Sequence, residues 1–220
     1  MKTFDELQEG VYDPNIFKAF FLAGGPGSGK SYVVRKTTGG TGLKVVNSDN
    51  AFEKFLKDAN LSLKMPEDET DARKPVRDRA KEITKKQQAN YLEGRLGLII
   101  DGTGHNFDKI ATQSNGLRQL GYDTHMIFVN TSLDVALERN ASRSRSVPES
   151  IVVKSWRDVQ SNIGKFNNHF KGNMVIVDNN DAGDDILFGV FKRIKGLLRK
   201  KIQNNRAKAW IEMELAKKKR

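Results

Sequence analysis

The stretch Phe20-Phe-Leu-Ala-Gly-Gly-Pro-Gly-Ser-Gly-Lys-Ser31 constrains this chain more than any other. Gly24, Gly29, Lys30 and Ser31 fill the spacing G-x-x-x-x-G-K-[ST], and the apolar run Ala19 to Ala23 ahead of it reads as a buried strand. The predicted context is therefore strand, glycine-rich loop, helix. Gly24, Gly25, Gly27, Ser28 and Gly29 let the backbone curl so that successive N–H groups face a polyphosphate. The positive end of the following helix dipole adds to that attraction. In such a loop Lys30 reaches the β- and γ-phosphates of ATP, and Ser31 holds Mg²⁺.

The rest of the chain supplies the alternation that such a strand requires. After polar residues and a turn at Asp13-Pro14-Asn15, a short helix spans 30–36 and ends in Thr37-Thr-Gly-Gly-Thr-Gly42. A strand is predicted over 43–47, with Ser48 as the N-cap of a helix carrying Phe52, Phe55 and Leu56. Residues 60–79 are polar, contain Pro66 and Pro75, and read as a mobile excursion. A helix over 80–92 stops at Gly94, and the apolar run 96–100 ends at Asp101 as a central parallel strand does. Further helices are predicted over 107–120, stopped by Gly121, and 133–140, capped by Thr131 or Ser132. Another starts at Pro148 and runs towards Phe166. Strands are predicted over 124–130 and 174–177. The expected fold is α/β: a P-loop NTPase-type doubly wound parallel sheet of about five strands, with helices on both faces, an Arg-containing lid and a basic C-terminal helix.

Charge divides the chain. The formal net charge is +11, yet residues 186–220 hold twelve Lys and Arg against two Glu, which leaves the rest of the chain at +1. The expected organisation is a kinase-sized body over 1–185 and a basic amphipathic helix and tail over 186–220. Leu187, Val190, Phe191, Ile194, Leu197 and Leu198 give that helix an apolar face. Its basic face has two readings, a solvated surface of a packed helix and a contact for nucleic acid. Residues 217–220 are expected to be disordered. The chain has no cysteine, so disulfides, thiolate metal sites and cysteine nucleophiles are excluded. No apolar run approaches the roughly 20 residues that span a bilayer. A cytoplasmic protein is expected, in the host cytoplasm where the chain is phage-encoded.

Ligands of open parallel sheets sit at the carboxyl ends of the strands. Asp49 and Asp101 are both predicted there, where a carboxylate can take a proton from an attacking hydroxyl or hold Mg²⁺ and its waters. The plainer readings are that Asp49 helps cap its helix and Asp101 begins a turn. Arg139, Arg143 and Arg145 lie between two predicted helices, and guanidinium groups suit the charge that spreads over a transferring phosphoryl group. His105, His125 and His169 have no metal-site spacing. Trp156 and Trp210 read as packing residues.

The order Gly24-Gly-Pro-Gly-Ser-Gly-Lys-Ser31, Asn47-Ser-Asp49, Ile-Ile-Asp101-Gly-Thr and Arg139-Asn-x-x-Arg143 followed by Val147-Pro148 resembles the phage polynucleotide 5′-kinase domain and its relatives, zeta-toxin-type kinases among them. The resemblance covers about residues 20–180 and leaves out the basic tail. It implies that Asp49 is the general base, Asp101 positions the acceptor and Arg143 is the lid arginine on the phosphates. It also implies that the turn Asp178-Asn179-Asn180 lies where the adenine is held; Arg139 is a further candidate for binding the nucleotide. One departure concerns the acceptor. The polynucleotide kinases carry an arginine three residues after the base aspartate, where this chain has Phe52. Lys54, Arg73, Arg77 or Arg79 could replace it.

Three functions follow as expectations. The first is an ATP- and Mg²⁺-dependent kinase acting on the 5′-hydroxyl of DNA or RNA, with the tail on the strand. The second is a kinase for a small acceptor: a nucleoside, a nucleotide or, as in zeta-type kinases, a nucleotide sugar. The third is a non-catalytic ATP-binding module tethered to nucleic acid. Oligomeric state is open.

Overall fold

The six residues of the first strand, β1 (Lys18–Ala23), are all buried, because the strand lies in the middle of a sheet covered on both faces. The computed structural model describes residues 11–64, 66–143, 146–181 and 183–218. Within them β1 is followed by α1 (Lys30–Thr38), β2 (Lys44–Val46), α2 (Ser48–Asp58), α3 (Thr70–Glu93), β3 (Leu98–Ile100), α4 (Phe107–Gln119) and β4 (Asp123–Asn130). Then come α5 (Leu133–Ala141), α6 (Glu149–Ser161), α7 (Ile163–Phe170), β5 (Met174–Asp178), α8 (Asp184–Arg199) and α9 (Asn205–Lys218). The strand order is β2-β3-β1-β4-β5 and every pairing is parallel, as chains built from strand–helix–strand crossovers require. The expected α/β class, a five-stranded parallel sheet with helices on both faces, is observed.

Alternation along β1 sorts the core into two layers. Ala19, Phe21 and Ala23 face a cluster with Phe128, Phe166 and Phe170, to which α4, α7 and α9 contribute. Phe20 and Leu22 face the other side, packed with Val33 and Val34 of α1 and with Leu187, Val190, Ile194, Leu197 and Leu198 of α8. The apolar stripe read in the C-terminal helix is therefore core. In α9, Ala207 is buried and Trp210 meets Phe17 edge-on, with ring centroids 5.4 Å apart. A third, small core of Phe52, Leu56 and Ala80 joins α2 to α3.

Four sequence expectations are corrected. The excursion over 60–79 is largely helical: a 3₁₀ turn at Glu67–Glu69 leads into α3, which contains Pro75. Its polarity reflects exposure, since Ala80 and Thr84 are the buried residues of this helix. The cap of α2 is Asn47, whose side chain accepts the Asp49 N–H at 2.7 Å, and Ser48 is the first helical residue. The helix predicted from Pro148 to Phe166 is two helices separated at Asn162, with Pro148 preceding the first of them. Lys217 and Lys218 continue α9; residues 219 and 220, and Met1 to Gly10, lie outside the described residues.

Two polar groups are buried at the amino end of the sheet. Lys18 is 1 % exposed, and its Nζ donates to Asp123 Oδ2 at 2.7 Å and to the Lys200 carbonyl at 2.9 Å. His125 is buried, stacks on Phe20 with centroids 4.7 Å apart, and makes no hydrogen bond from either ring nitrogen. Burial, with Lys18 nearby, pushes His125 down to about 3.

These sites set two outcomes for denaturant unfolding. Asp123→Ala leaves a buried ammonium without its carboxylate and is expected to cost about 3 kcal/mol. Lys18→Met leaves a carboxylate that still touches solvent and should cost less. The unfolded chain takes up a proton at His125 below its ordinary range, whereas the folded chain resists until about pH 3. Stability from this group is thus complete above pH 6.5 and falls as pH falls. Between pH 7 and pH 5 the loss is about 2 kcal/mol, and His125→Phe should remove it.

Candidate active site

The loop after β1 is shaped by contacts that leave no room for side chains. Gly27 has φ +78°, and a Cβ there would stand 2.0 Å from the Ala136 carbonyl oxygen of α5. Gly29 has φ +79°, and a Cβ there would stand 2.3 Å from Asn179 Nδ2. That same amide donates to the Ser28 carbonyl at 2.8 Å, so the turn after β5 braces the loop from beneath. The Gly24 N–H donates to the Thr103 carbonyl, tying the loop to the turn after β3. Ser28 Oγ is buried without a hydrogen-bond partner. A curled backbone with an orphaned hydroxyl and a lysine beside it suits a polyphosphate.

A cavity of about 540 Å³ opens beside this loop, at the carboxyl ends of β1, β2 and β3, and Lys30, Ser31, Asp49, Arg77, Asp101 and Arg143 are among its lining residues. Lys30 Nζ donates to the Gly24 carbonyl at 2.6 Å. Burial pushes its ammonium below the ordinary lysine range, while Asp101 and Asp49 hold it up. Asp101 is pushed up, chiefly by burial; Lys30 opposes the shift and Asp49 adds to it. Asn47 joins the two acids: its Nδ2 donates to Asp101 Oδ2 at 2.7 Å while its Oδ1 accepts the Asp49 N–H.

Asp49 is held from across the cavity. Arg77 of α3 donates from Nη1 to Asp49 Oδ1 at 2.9 Å, and its guanidinium lies 4.3 Å from the Phe52 ring centroid. Of the four replacements considered for the missing arginine, Arg77 is the one in the cavity. Arg79 sits over Phe55 at 4.6 Å, and Arg73 bonds to the Pro66 carbonyl and Thr70.

The arginine segment separates in space. Arg143 is exposed and lines the cavity. Arg139 turns away: Nη1 donates to the Asn179 carbonyl at 2.6 Å and Nη2 to the Asn180 carbonyl at 2.9 Å, so it fastens the post-β5 turn to α5. Arg145 lies outside the described residues. Asn140 was not singled out from the sequence, yet its amide bonds both backbone groups of Val147, at 2.8 and 3.1 Å, and closes the loop that carries Arg143. The only sign of it was its place between Arg139 and Val147-Pro148. Lys154 and Ser155 of α6 also line the cavity, with Ser155 Oγ buried and unpartnered. Among the described residues no group of three or more His, Cys, Asp and Glu could hold a metal by itself. The oxygens of Ser31, Asp49 and Asp101 on one cavity fit a hard cation such as Mg²⁺ that keeps several waters. No helix among the described residues is long and apolar enough to cross a membrane.

A family model for zeta toxin matches residues 6–186. The chain belongs to the zeta toxin family. It is a P-loop phosphotransferase. Among solved structures it is similar to a chain of the Pnkp1/Rnl/Hen1 RNA repair complex (18 % identity over 74 % of this chain and 49 % of that one, TM-score 0.54). It is also similar to a protein of the PezAT chromosomal toxin–antitoxin system of Streptococcus pneumoniae (15 %, 83 % and 88 %, 0.52). A third is shikimate kinase from Bacteroides thetaiotaomicron (13 %, 83 % and 99 %, 0.51). At these identities the likenesses speak for the fold. No curated protein matches the chain.

Gly27→Ala is the sharpest test of the loop. The added methyl meets the backbone of α5, so the thermal stabilisation that ATP or ADP gives the wild-type protein should disappear from this variant.

Proposed function

We propose that this protein transfers the γ-phosphoryl group of ATP to a hydroxyl of an acceptor that itself carries a phosphate, and that the acceptor is the 5′-hydroxyl end of a polynucleotide. The observation that carries a phosphate-bearing acceptor is Arg77. A permanently charged guanidinium faces the cavity, stacked on Phe52 and bonded to Asp49 through one nitrogen, which leaves donors for a second anion.

In the proposed reaction the backbone N–H groups of 27–30 and the Lys30 ammonium hold the β- and γ-phosphates, and Arg143 meets the charge of the moving phosphoryl group. Asn179 and Arg139 keep the loop in place and shape the adenine side. Asp101, fixed by Asn47, positions the acceptor. Asp49 accepts the proton of the attacking hydroxyl as its oxygen bonds to the γ-phosphorus and the bond to the β-phosphate oxygen breaks, releasing ADP. Ser31 would hold Mg²⁺, which when bound would supply charge to offset that of the phosphates. Asp49 suits the base role because it is half-exposed beside the acceptor space, whereas burial pushes Asp101 towards its neutral form.

A second reading, a nucleotide or nucleotide-sugar acceptor, is favoured by the match to the zeta toxin family. It uses the same residues and the same contact with Arg77.

Transfer of labelled γ-phosphate to 5′-hydroxyl DNA, 5′-hydroxyl RNA, nucleosides, nucleoside monophosphates and nucleotide sugars tests both, with Lys30→Ala as the blank. Label on oligonucleotides supports the first reading, and label only on mononucleotides or nucleotide sugars replaces it with the second. Equal labelling of nucleosides would overturn the role of Arg77, and no label anywhere would leave a binding module. Asp49→Asn is expected to lower kcat by ~10² to 10⁴. Arg77→Ala should raise KM for the phosphate-bearing acceptor by about ten-fold or more, with a smaller change in KM for ATP.

A further inference from the structure

We infer that the face formed by α1 and α8 is a binding surface for single-stranded nucleic acid, distinct from the phosphate-loop cavity. The helices pack together through their apolar sides, and on the outside Lys36 of α1 stands 4.0 Å from Asp184 of α8, so their outer sides adjoin. Phe188 is 55 % exposed, lies 4.3 Å from Lys192 Nζ at its ring centroid, and stacks at 6.5 Å and 17° on Phe191, which Lys195 covers in turn. On α1, Tyr32 is 40 % exposed, and both Arg35 and Lys36 lie within 6.0 Å of its ring centroid. Residues 188, 192, 195 and 199 recur at helical spacing, so Arg199 continues the strip over ~16 Å of helix.

Charge and exposure identify the occupant. Among the described residues Arg35, Lys192, Lys195 and Arg199 have no carboxylate partner; Lys36 stands 4.0 Å from Asp184. Four unneutralised cations interleaved with exposed aromatic faces match the two contacts a single strand needs, phosphates to cations and unpaired bases to rings. A duplex hides its base faces from such rings. A bilayer requires an apolar face to insert, and that face of α8 is already in the core. Nothing in the strip requires the bound strand to be the acceptor.

The test is fluorescence anisotropy of a labelled oligo(dT) bearing a 5′-phosphate, which has no acceptor hydroxyl at that end, titrated with the full-length protein. With about four phosphates contacted, log affinity should fall against log salt with a slope of about −3, or about fifty-fold between 50 and 200 mM. Phe188→Ala and Tyr32→Ala should each weaken binding about ten-fold, and Phe188→Trp should restore it. Circular dichroism melts of both alanine variants should match wild type, which shows that the loss is not one of folding. Arg77→Ala, which removes the acceptor contact proposed for the cavity, should bind the strand like wild type, and this separates the surface from the kinase reading. Equal affinity for duplex, no effect of the aromatic substitutions, equal competition by poly-glutamate, or binding to phosphatidylserine vesicles in place of oligo(dT) would each overturn the inference.

Discussion

The carbonyl of Ala136 stands where a side chain at position 27 would have to go, so the phosphate loop closes over β1 only with glycine there. Much of the site depends on that contact. It presses α5 against the loop, and Arg139 of α5 then reaches the Asn179 and Asn180 carbonyls while Asn179 supports Ser28 and Gly29 from below. Loop, helix and post-strand turn are thus one hydrogen-bonded unit assembled from residues 27–29, 136–139 and 179–180. The guanidinium of Arg139 is occupied within it. Arg143, held on a loop that Asn140 closes, is the arginine placed over the cavity.

Electrostatic balance organises the other side of the cavity. Lys30 sits under the loop among carbonyls, with burial acting against its charge and the two acids acting for it. Asn47 keeps those acids in register by capping α2 with one atom and holding Asp101 with another. Arg77 arrives from α3 and neutralises Asp49 from the solvent side. Phe52, which takes the place of an arginine in the resembling kinases, becomes the platform on which that imported guanidinium rests. A cation lost from one helix is supplied by its neighbour, and the mini-core of Phe52, Leu56 and Ala80 holds the two helices together.

What was legible in the sequence was what local pattern controls. The strand–loop–helix around Lys30, the strand end at Asp101 and the alternation of elements all follow from apolar period and glycine placement, whereas Asp49, expected at a strand end, lies in the first turn of α2. What was not legible depended on distant contacts. Pro66 and Pro75 marked residues 60–79 as a break, yet α3 runs through Pro75 because packing on α2 outweighs the lost backbone bond. Arg77 was one of several candidates until a contact across 28 residues selected it. Lys18, Asp123 and His125 carry no local signal in the sequence, and the sheet, α8 and the Lys200 carbonyl bury Lys18 and His125. Asn140 carried no periodic signal because its partners are the backbone groups of Val147.

The two faces of α8 explain how one chain can be nearly neutral in its body and strongly basic at its end. Leu187, Val190, Ile194, Leu197 and Leu198 are core, so the helix cannot be removed without exposing the sheet surface that carries β1, β4 and β5. Its charge is therefore fixed to the flank of the body and does not trail behind it. In the cavity, by contrast, Lys30, Arg77 and Arg143 are opposed by Asp49 and Asp101, and the field there is balanced and local. A long polyanion, which touches many cations at once, feels the flank most strongly and loses that attraction as salt rises. A small phosphate-bearing acceptor feels mainly the cavity, where short contacts and partial burial resist screening. Salt dependence thus separates the two surfaces physically, because one collects many weak, exposed charges and the other a few close ones.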